Sequence, residues 1–364
     1  MLDIEEQLTL DERSAVDFVL TMRKRWSDTI YPALVAEFAA TGADPATASD
    51  AGSALHDLPL YPWFSHLERV QQKMLWKIAG DAVISRREEL LGQLEDTPAG
   101  PDGSLQLDPD LDLPDWYTDY DIHVQPGGVF SDDLSAYVYE FGARIVMLRD
   151  NDGYKFHQLF ATTALPELPE ATRVVDMGCG FGKSTRPLKL RYPTAEVIGV
   201  DLAAPNLRLA HAESADADID VRYRQADART TGIEDGTCDV VTGTMLLHEM
   251  PATVIEETIA EAARVVKPGG TVAFLEFQPT GEALRDATVV EHAERNNEPF
   301  FHDLFDNDLV ALCAKHGLTD ARWTPFDERL EGMRPQGWGP RPEWHFPWAV
   351  LTATRPAEKT EVAS

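Results

Sequence analysis

The sequence predicts an α/β fold in which a seven-stranded, mostly parallel, doubly wound sheet follows an all-helical N-terminal cap. From Thr172 onward, short β-branched runs alternate with helical stretches, the pattern of strands joined by crossover helices. Before Thr172, apolar residues recur instead at helical spacing. The predicted strands are 173–177, 197–201, 220–225, 238–245, 271–277, 321–326 and 348–354.

The first region, residues 1–110, is predicted to be a helical cap or a dimerisation arm. Residues 14–38 carry apolar side chains one helical turn apart, and Pro32 is expected to kink or split that helix. A second apolar stripe starts at Leu67 and continues weakly to Leu94. Apolar stripes on two helices need a covering surface, so a homodimer is one expectation.

The remaining region boundaries are placed where the amino-acid composition of the sequence changes. Residues 41–59, rich in Ala, Asp and Ser, are expected to form a loop, and the Pro-, Gly- and Asp-dense stretch 92–114 a linker. Residues 111–165 are interpreted as a substrate lid with connecting helices. The Rossmann-like domain then spans 166–357, and 358–364 is expected to be a flexible tail.

Bulk properties exclude several classes of protein. The net charge of −30 repels phosphate backbones, so neither nucleic acid nor an anionic membrane surface is expected as a partner. No run approaches the ~18 consecutive apolar residues of a membrane helix. The three cysteines lie far apart without a CxxC pair, which argues against disulfides and zinc. These observations predict a cytoplasmic protein with no metal site.

A glycine-rich turn follows the first predicted strand and reads Asp176-Met177-Gly178-Cys179-Gly180-Phe181-Gly182-Lys183. Glycines permit positive φ and close approach of a ligand, and amides at the following helix N-terminus can receive a polar group. A phosphate-binding P-loop needs its first glycine where Met177 stands. The dinucleotide fingerprint needs its third glycine where Lys183 stands. The spacing therefore disfavours both of these ligands.

The GxGxG turn preceded by an acid resembles motif I of the class I S-adenosylmethionine-dependent methyltransferases. Further matches follow in chain order: Asp201 ending the second strand, Asp227-Ala228 after the third, Leu246-Leu247-His248-Glu249-Met250 after the fourth, and the Pro268-Gly269-Gly270 turn before the fifth. The resemblance covers 171–277 well and 278–356 more loosely. It implies S-adenosylmethionine as the cofactor and the strand order 3-2-1-4-5-7-6, with strand 7 antiparallel.

The resemblance also implies which residues hold the cofactor. Asp201 is expected to accept hydrogen bonds from the ribose hydroxyls, and Asp227 to contact the adenine amino group. The other implied cofactor residues are Asp176, Gly178, Cys179, Gly180, Gly182, Leu202, Ala228 and Thr244.

Methyl transfer from a sulfonium is an in-line displacement, so a base is needed only if the acceptor must lose a proton. His248 and Glu249, at the end of the fourth strand, and His123, in the lid, are the candidate bases; structural hydrogen bonding is the alternative role. The candidate acceptor contacts, for which packing is the alternative, are Tyr117, Tyr120, Asn297 and His302.

The class of methyl acceptor is predicted from the motifs that the sequence contains and from those that it lacks. The fourth strand lacks the Pro-Pro-Tyr motif of base N-methylation, and no Pro-Cys nucleophile is present for cytosine chemistry. The Leu-Leu-His-Glu-Met element resembles small-molecule C-, N- and O-methyltransferases related to the quinone-methylating group. A small, partly apolar metabolite of biosynthetic or secondary metabolism is expected. The alternatives are a protein or peptide methyltransferase, a non-catalytic cofactor-binding module and aminopropyl transfer.

Overall fold

The computed structural model describes residues 3–101, 103–329 and 331–357, so the predicted tail at 358–364 lies outside the described residues. Its α-helices are α1 (Leu10–Arg25), α2 (Tyr31–Ala40), α3 (Ala48–His56), α4 (Tyr61–Ile84), α5 (Arg87–Asp96), α6 (Asp115–Thr118), α7 (Ser135–Val146), α8 (Lys155–Thr163), α9 (Thr185–Arg191), α10 (Ala204–Asp216), α11 (Ala252–Val265), α12 (Ala283–Arg295), α13 (Phe301–Asp306) and α14 (Leu309–Lys315). Its strands are β1 (Leu105–Gln106), β2 (Arg173–Met177), β3 (Glu196–Asp201), β4 (Arg222–Gln225), β5 (Cys238–Thr244), β6 (Val266–Phe277), β7 (Thr319–Asp327), β8 (Gly332–Met333) and β9 (Trp348–Thr354).

The strands form one sheet in the order β1-β4-β3-β2-β5-β6-β9-β7-β8. Strands β4, β3, β2, β5 and β6 pair in parallel, and β9 runs antiparallel between β6 and β7. The expected seven-strand order is therefore confirmed. The sheet also gains a two-residue strand at each edge, β1 beside β4 and β8 beside β7, which the sequence did not predict.

The central strands are buried on both faces, as a doubly wound sheet requires. All seven residues of β5 are buried. Gly243 in β5 and Gly199 in β3 make room for aromatic rings on neighbouring strands, since an added Cβ would lie 2.8 Å from the Phe274 ring and 2.9 Å from the Tyr223 ring, respectively. The carboxyl ends of the parallel strands then share one edge, where such sheets bind ligands.

The cap is helical as expected, with two corrections. The proposed loop at 41–59 contains helix α3, which Thr47 caps by accepting a hydrogen bond from the Asp50 amide. Leu55 on α3 is fully buried, and the helix packs against α12 of the sheet domain. Alanine-rich composition therefore marked a short helix that tertiary contacts stabilise.

The second correction concerns the helix break and the linker. A π-helical stretch, Trp26–Ile30, separates α1 from α2, and Pro32 sits in the first turn of α2, where proline is tolerated. The proposed linker at 92–114 begins inside α5 and contains β1.

The cap and the sheet domain share side-chain contacts. Tyr61 Oη donates to Glu291 on α12 at 2.8 Å, and the Trp26 ring lies 5.2 Å from that of Trp344. Phe181, after β2, packs in the same apolar cluster as α1, α4 and α7. The cap therefore lies directly over the ligand-binding edge of the sheet.

Candidate functional site

The glycine turn after β2 adopts the conformation that its sequence requires. Gly178, Gly180 and Gly182 have φ of 65°, 53° and 80°, values that favour glycine. A Cβ on Gly182 would lie 2.5 Å from the Tyr223 hydroxyl, whereas one on Gly180 would meet nothing closer than Tyr139 at 3.8 Å. Gly182 is thus needed for packing, while Gly180 leaves open space where a ligand can approach the backbone.

Asp176 supports this turn from beneath. Its fully buried carboxylate accepts hydrogen bonds from Ser184 (2.6 Å), Thr185 (2.7 Å) and Thr242 (3.2 Å). Burial raises the pKa of Asp176 to about 6, and the three hydroxyls oppose that rise. Because both oxygens are engaged within the protein, Asp176 positions the turn.

Asp201, at the end of β3, has the geometry expected of a ribose ligand. One carboxylate oxygen accepts from the Gly180 amide and the other from the Ala203 amide, both at 2.8 Å. Burial raises the pKa of Asp201, while these amides and the Lys183 charge favour the ionised form. Each oxygen retains a second lone pair that can accept a hydroxyl group. The cofactor's ribose therefore fits this position.

The remaining predicted cofactor residues lie around the same edge of the sheet. Asp227 is bound by its neighbour Arg229, whose Nη2 lies 2.7 Å from Oδ2. Leu202, Ala228 and Cys179 are buried. Among the described residues, the Thr244 hydroxyl at the end of β5 is buried without a hydrogen-bond partner. A buried unpaired hydroxyl costs free energy, so it fits a site that a polar ligand completes.

A cavity of about 970 Å³, open solvent at its mouth included, lies between the cap and the carboxyl ends of β2, β5 and β6. Much of its lining is aromatic. The aromatic side chains include Trp76, Tyr139, Phe181, Phe277, Phe346 and Trp348. Its polar lining includes all three predicted catalytic residues: His123, and the adjacent pair His248 and Glu249, which follows more than a hundred residues later. The fold therefore brings these three side chains together.

The three catalytic candidates belong to a continuous row of alternating acids and imidazoles, which we call the histidine–glutamate chain. It runs Glu298, His123, Glu249, His248, Glu276. His123 contacts Glu298 and Glu249, both at 3.1 Å, and His248 contacts Glu249 at 3.4 Å and Glu276 at 2.7 Å. Both nitrogens of each imidazole therefore have a carboxylate partner.

These contacts shift the pKa values of the members of the histidine–glutamate chain. The carboxylates outweigh burial and raise the pKa of His248 to about 10 and that of His123 well above its usual value. The imidazolium charges in turn lower the pKa of Glu249. His248 is therefore a cation at neutral pH, and the two carboxylate partners of His123 likewise favour its cationic form. Glu249 Oε2 is buried and unpartnered within the described part of the chain, which leaves it as the group able to meet an acceptor.

The raised pKa of His248 predicts pH-dependent stability. A folded-state pKa of about 10, against 6.5 for the model group, means that His248 stabilises the fold fully below pH 6.5 and loses this contribution as pH rises towards 10. The difference in unfolding free energy between wild type and His248→Gln should therefore shrink from neutral to alkaline pH, as measured by urea denaturation. A difference that stays constant over that range contradicts this charge state.

His123 also fastens the lid segment. Its backbone carbonyl accepts hydrogen bonds from Trp76 Nε1 at 2.5 Å and Gln72 Nε2 at 3.1 Å, both on α4. His123 and Val124 have φ of 58° and 65°, a strained conformation for residues other than glycine. The surrounding contacts therefore hold this segment across the cavity.

The predicted acceptor contacts divide into two groups. Tyr117 is near the site, because burial and the charges of Asp201 and Glu249 raise the pKa of its hydroxyl. Tyr120 is exposed and packs edge-on against Phe300, and His302 is exposed beside Glu294. The cavity lining does not include Tyr117, Tyr120 or His302.

Asn297, the fourth predicted acceptor contact, holds the lid instead of lining the cavity. Its amide donates to the Asp121 carbonyl at 3.1 Å, and its Oδ1 accepts from Arg69 at 3.1 Å. The next residue, Glu298, lines the cavity in its place.

Glu276 and Glu298, which belong to the histidine–glutamate chain, were not among the predicted site residues. Glu276 Oε1 accepts the Leu246 and Leu247 amides at 2.5 and 2.6 Å, so it also shapes the turn after β5. An acid inside the otherwise apolar run Ala273-Phe274-Leu275-Glu276-Phe277 was the available signal. Glu298 carried no comparable local signal.

Among the described residues, no group of three or more His, Cys, Asp or Glu side chains is arranged to hold a metal ion. None of their helices is both long and apolar enough to cross a membrane.

Comparison with known proteins identifies the region around the glycine turn. Residues 174–270 match the family model described as a methyltransferase domain. The chain is 35% identical over 116 residues to demethylmenaquinone methyltransferase of Thermus thermophilus, covering 32% of this chain and 51% of that one. It is 28% identical over 213 residues to a ubiquinone/menaquinone biosynthesis C-methyltransferase of Stutzerimonas stutzeri, covering 57% and 81%. The chain thus spans about half the length of the first of these relatives.

Solved structures resemble the chain more distantly. Phosphoethanolamine N-methyltransferase 2 of Haemonchus contortus, in complex with S-adenosyl-L-methionine, is 15% identical with a TM-score of 0.46, over 66% of this chain and 60% of that chain. At this distance the likeness carries no argument about the site.

Proposed function

We propose that this chain, whose residues 174–270 match a methyltransferase domain and which is similar to quinone methyltransferases, transfers a methyl group to a small, partly apolar metabolite. The cofactor of such a domain is S-adenosylmethionine. The observation that carries the proposal is the aromatic-lined cavity of about 970 Å³ beside the glycine turn. Small-molecule sites are usually concave and lined mainly by apolar and aromatic side chains with a few polar groups, and this cavity has that character.

The residues of this chain have three tasks in the proposed reaction. When bound, S-adenosylmethionine supplies a methyl group on a sulfonium. The cap and the lid exclude water and align the acceptor, and alignment of this kind can supply ~7–11 kcal/mol of a barrier. Glu249 Oε2, whose pKa the two imidazoles hold low, accepts a hydrogen bond from the acceptor's nucleophilic group and so orients it. His123 and His248, as cations on the other carboxylate oxygen, hold Glu249 in position.

Cofactor binding provides the direct test. Asp201→Ala should weaken S-adenosylmethionine binding at least about tenfold, ~1.4 kcal/mol, because two ribose hydroxyls lose their acceptor. Asp220→Asn, an exposed acid at the opposite end of the neighbouring strand β4, is the matched control and should bind as wild type does. Calorimetry measures both. A wild type that binds no S-adenosylmethionine overturns the proposed function.

The alternatives predict other outcomes. A non-catalytic module would bind S-adenosylmethionine but yield no S-adenosylhomocysteine with any acceptor. A protein methyltransferase would label polypeptides in preference to small molecules. The enclosed, aromatic lining favours a small acceptor, because a peptide needs an open groove.

Assembly and location are further parts of the proposal. We propose a homodimer, because α1 exposes Leu10 and Phe18 and α4 exposes Trp63 and Ile84; light scattering tests it. We also propose a reducing, cytoplasmic location, since all three cysteines are buried and unpaired.

A further inference from the structure

Arg23, on α1 of the cap, lines the cavity from the side opposite to the family's motifs. Its Nη1 donates to Gln72 Oε1 at 2.8 Å, and its Nη2 lies 3.5 Å from the Val146 carbonyl. Its Nε is buried without a hydrogen-bond partner among the described residues. The guanidinium is thus held in place with donor capacity unused.

Arg23 also lacks a counter-charge. No carboxylate in the described part of the chain lies within ion-pair distance of it, although the protein carries a net charge of −30. Glu68, whose charge stabilises the Arg23 cation, is itself in contact with His292 and Arg295. Burial lowers the pKa of Arg23 to about 10, so it is still a cation at neutral pH.

A second arginine in the same lining shows the usual arrangement. Arg144 forms ion pairs with Asp3, Glu5 and Asp152. Buried charges are normally paired in this way, because an unpaired charge is strongly unfavourable away from water. Arg23 therefore has the environment of a group whose counter-charge arrives with a ligand.

Lys183 is the other lining cation without an ion pair among the described residues. It follows the glycine turn directly, and its Nζ lies 3.2 Å from the Tyr139 hydroxyl and 3.9 Å from Met245 Sδ. This position assigns Lys183 to the cofactor's side of the cavity. Arg23, which comes from the cap, is then the one remaining cation of the lining that has no ion pair among the described residues.

We propose that the acceptor is a ring-containing carboxylic acid whose carboxylate pairs with Arg23. This inference rests on the proposed function and names its substrate class. The planar guanidinium matches a carboxylate with two parallel hydrogen bonds. One available cation matches one negative charge, and the aromatic lining formed by Trp76, Phe277 and Trp348 suits a flat apolar body.

Matched acids and amides test the proposal. The probes are 2-naphthoate, cinnamate and indole-3-acetate, each paired with its primary carboxamide, measured by calorimetry with and without S-adenosylhomocysteine. The wild type should prefer at least one acid over its amide by about tenfold or more. Arg23→Gln should abolish that preference. Arg25→Gln, an exposed arginine on the same helix, should retain it.

The outcomes separate the two proposals. A wild type that binds no acid at millimolar concentration, or that binds acids and amides alike, overturns the assignment to Arg23, as does Arg23→Gln with its preference intact. If the protein does not bind S-adenosylhomocysteine, the proposed methyl transfer is overturned instead. The measurements made without S-adenosylhomocysteine still show whether the protein prefers acids to amides. If Arg23→Gln fails to fold, the proposal is tested on the wild type by nitrogen-15 spectra of the arginine side chains. The Arg23 resonance is assigned with the help of the Arg23→Lys variant. The acid should shift the Arg23 Nε–H resonance, and an unchanged resonance overturns the proposal.

Discussion

Replacing Glu249 with glutamine is expected to lower kcat by about 100-fold or more, while S-adenosylmethionine still binds. The variant keeps the size of the side chain but removes the only carboxylate that contacts both imidazoles. It also alters the buried group that we assign to orienting the acceptor's nucleophile, and misplacement of a reacting group can cost about 10²-fold in rate. Production of S-adenosylhomocysteine with the acceptor identified by binding measures the loss.

A second readout of Glu249→Gln does not depend on the acceptor. Removing the negative charge should lower the pKa of both His123 and His248, because Glu249 raises each of them. Imidazole titration by nuclear magnetic resonance measures this shift. Glu234→Gln, an exposed acid without a side-chain partner in the described residues, is the control and should leave both values unchanged. Wild-type activity together with shifted imidazoles would assign Glu249 a purely electrostatic role.

Replacing Gly142 with alanine is expected to lower the free energy of unfolding by about 3 kcal/mol, a cost typical of overpacking. Gly142 lies on α7, and an added Cβ would come within 2.1 Å of the Trp76 ring. The ring cannot move aside cheaply, since it is buried and its Nε1 donates to the His123 carbonyl. The same change should therefore loosen the lid. Urea denaturation measures the stability loss.

Gly80→Ala is the matched control for this variant. Gly80 lies in the interior of α4, has no atom within 4 Å of an added Cβ, and does not adopt positive φ. Alanine there should raise the free energy of unfolding by ~0.5–1 kcal/mol, because it restricts the unfolded chain and favours the helix. Equal stability of the two variants would show that Trp76 tolerates displacement.

The elements that the sequence predicted well are those with strong local patterns. The bounds of β2 and β9 agree with the predicted 173–177 and 348–354. Strand β6 begins at Val266, before the predicted 271, because its register with β5 shifts at a bulge and the Pro-Gly-Gly turn lies within it. Helix α3 was missed because its buried face depends on α12, which follows more than 200 residues later.

The sequence by itself determined the sheet, the glycine turn and the acids beside it, because buried strands and tight turns depend on the side chains of near neighbours. Only the tertiary structure decided how the site is completed. The cap places Arg23 in the cavity, and the lid brings His123 to Glu298, 175 residues further along the chain. Such pairs leave no local periodicity in the sequence. They form because the apolar faces of the cap must be buried against the sheet domain, and this packing brings the charged side chains to their partners.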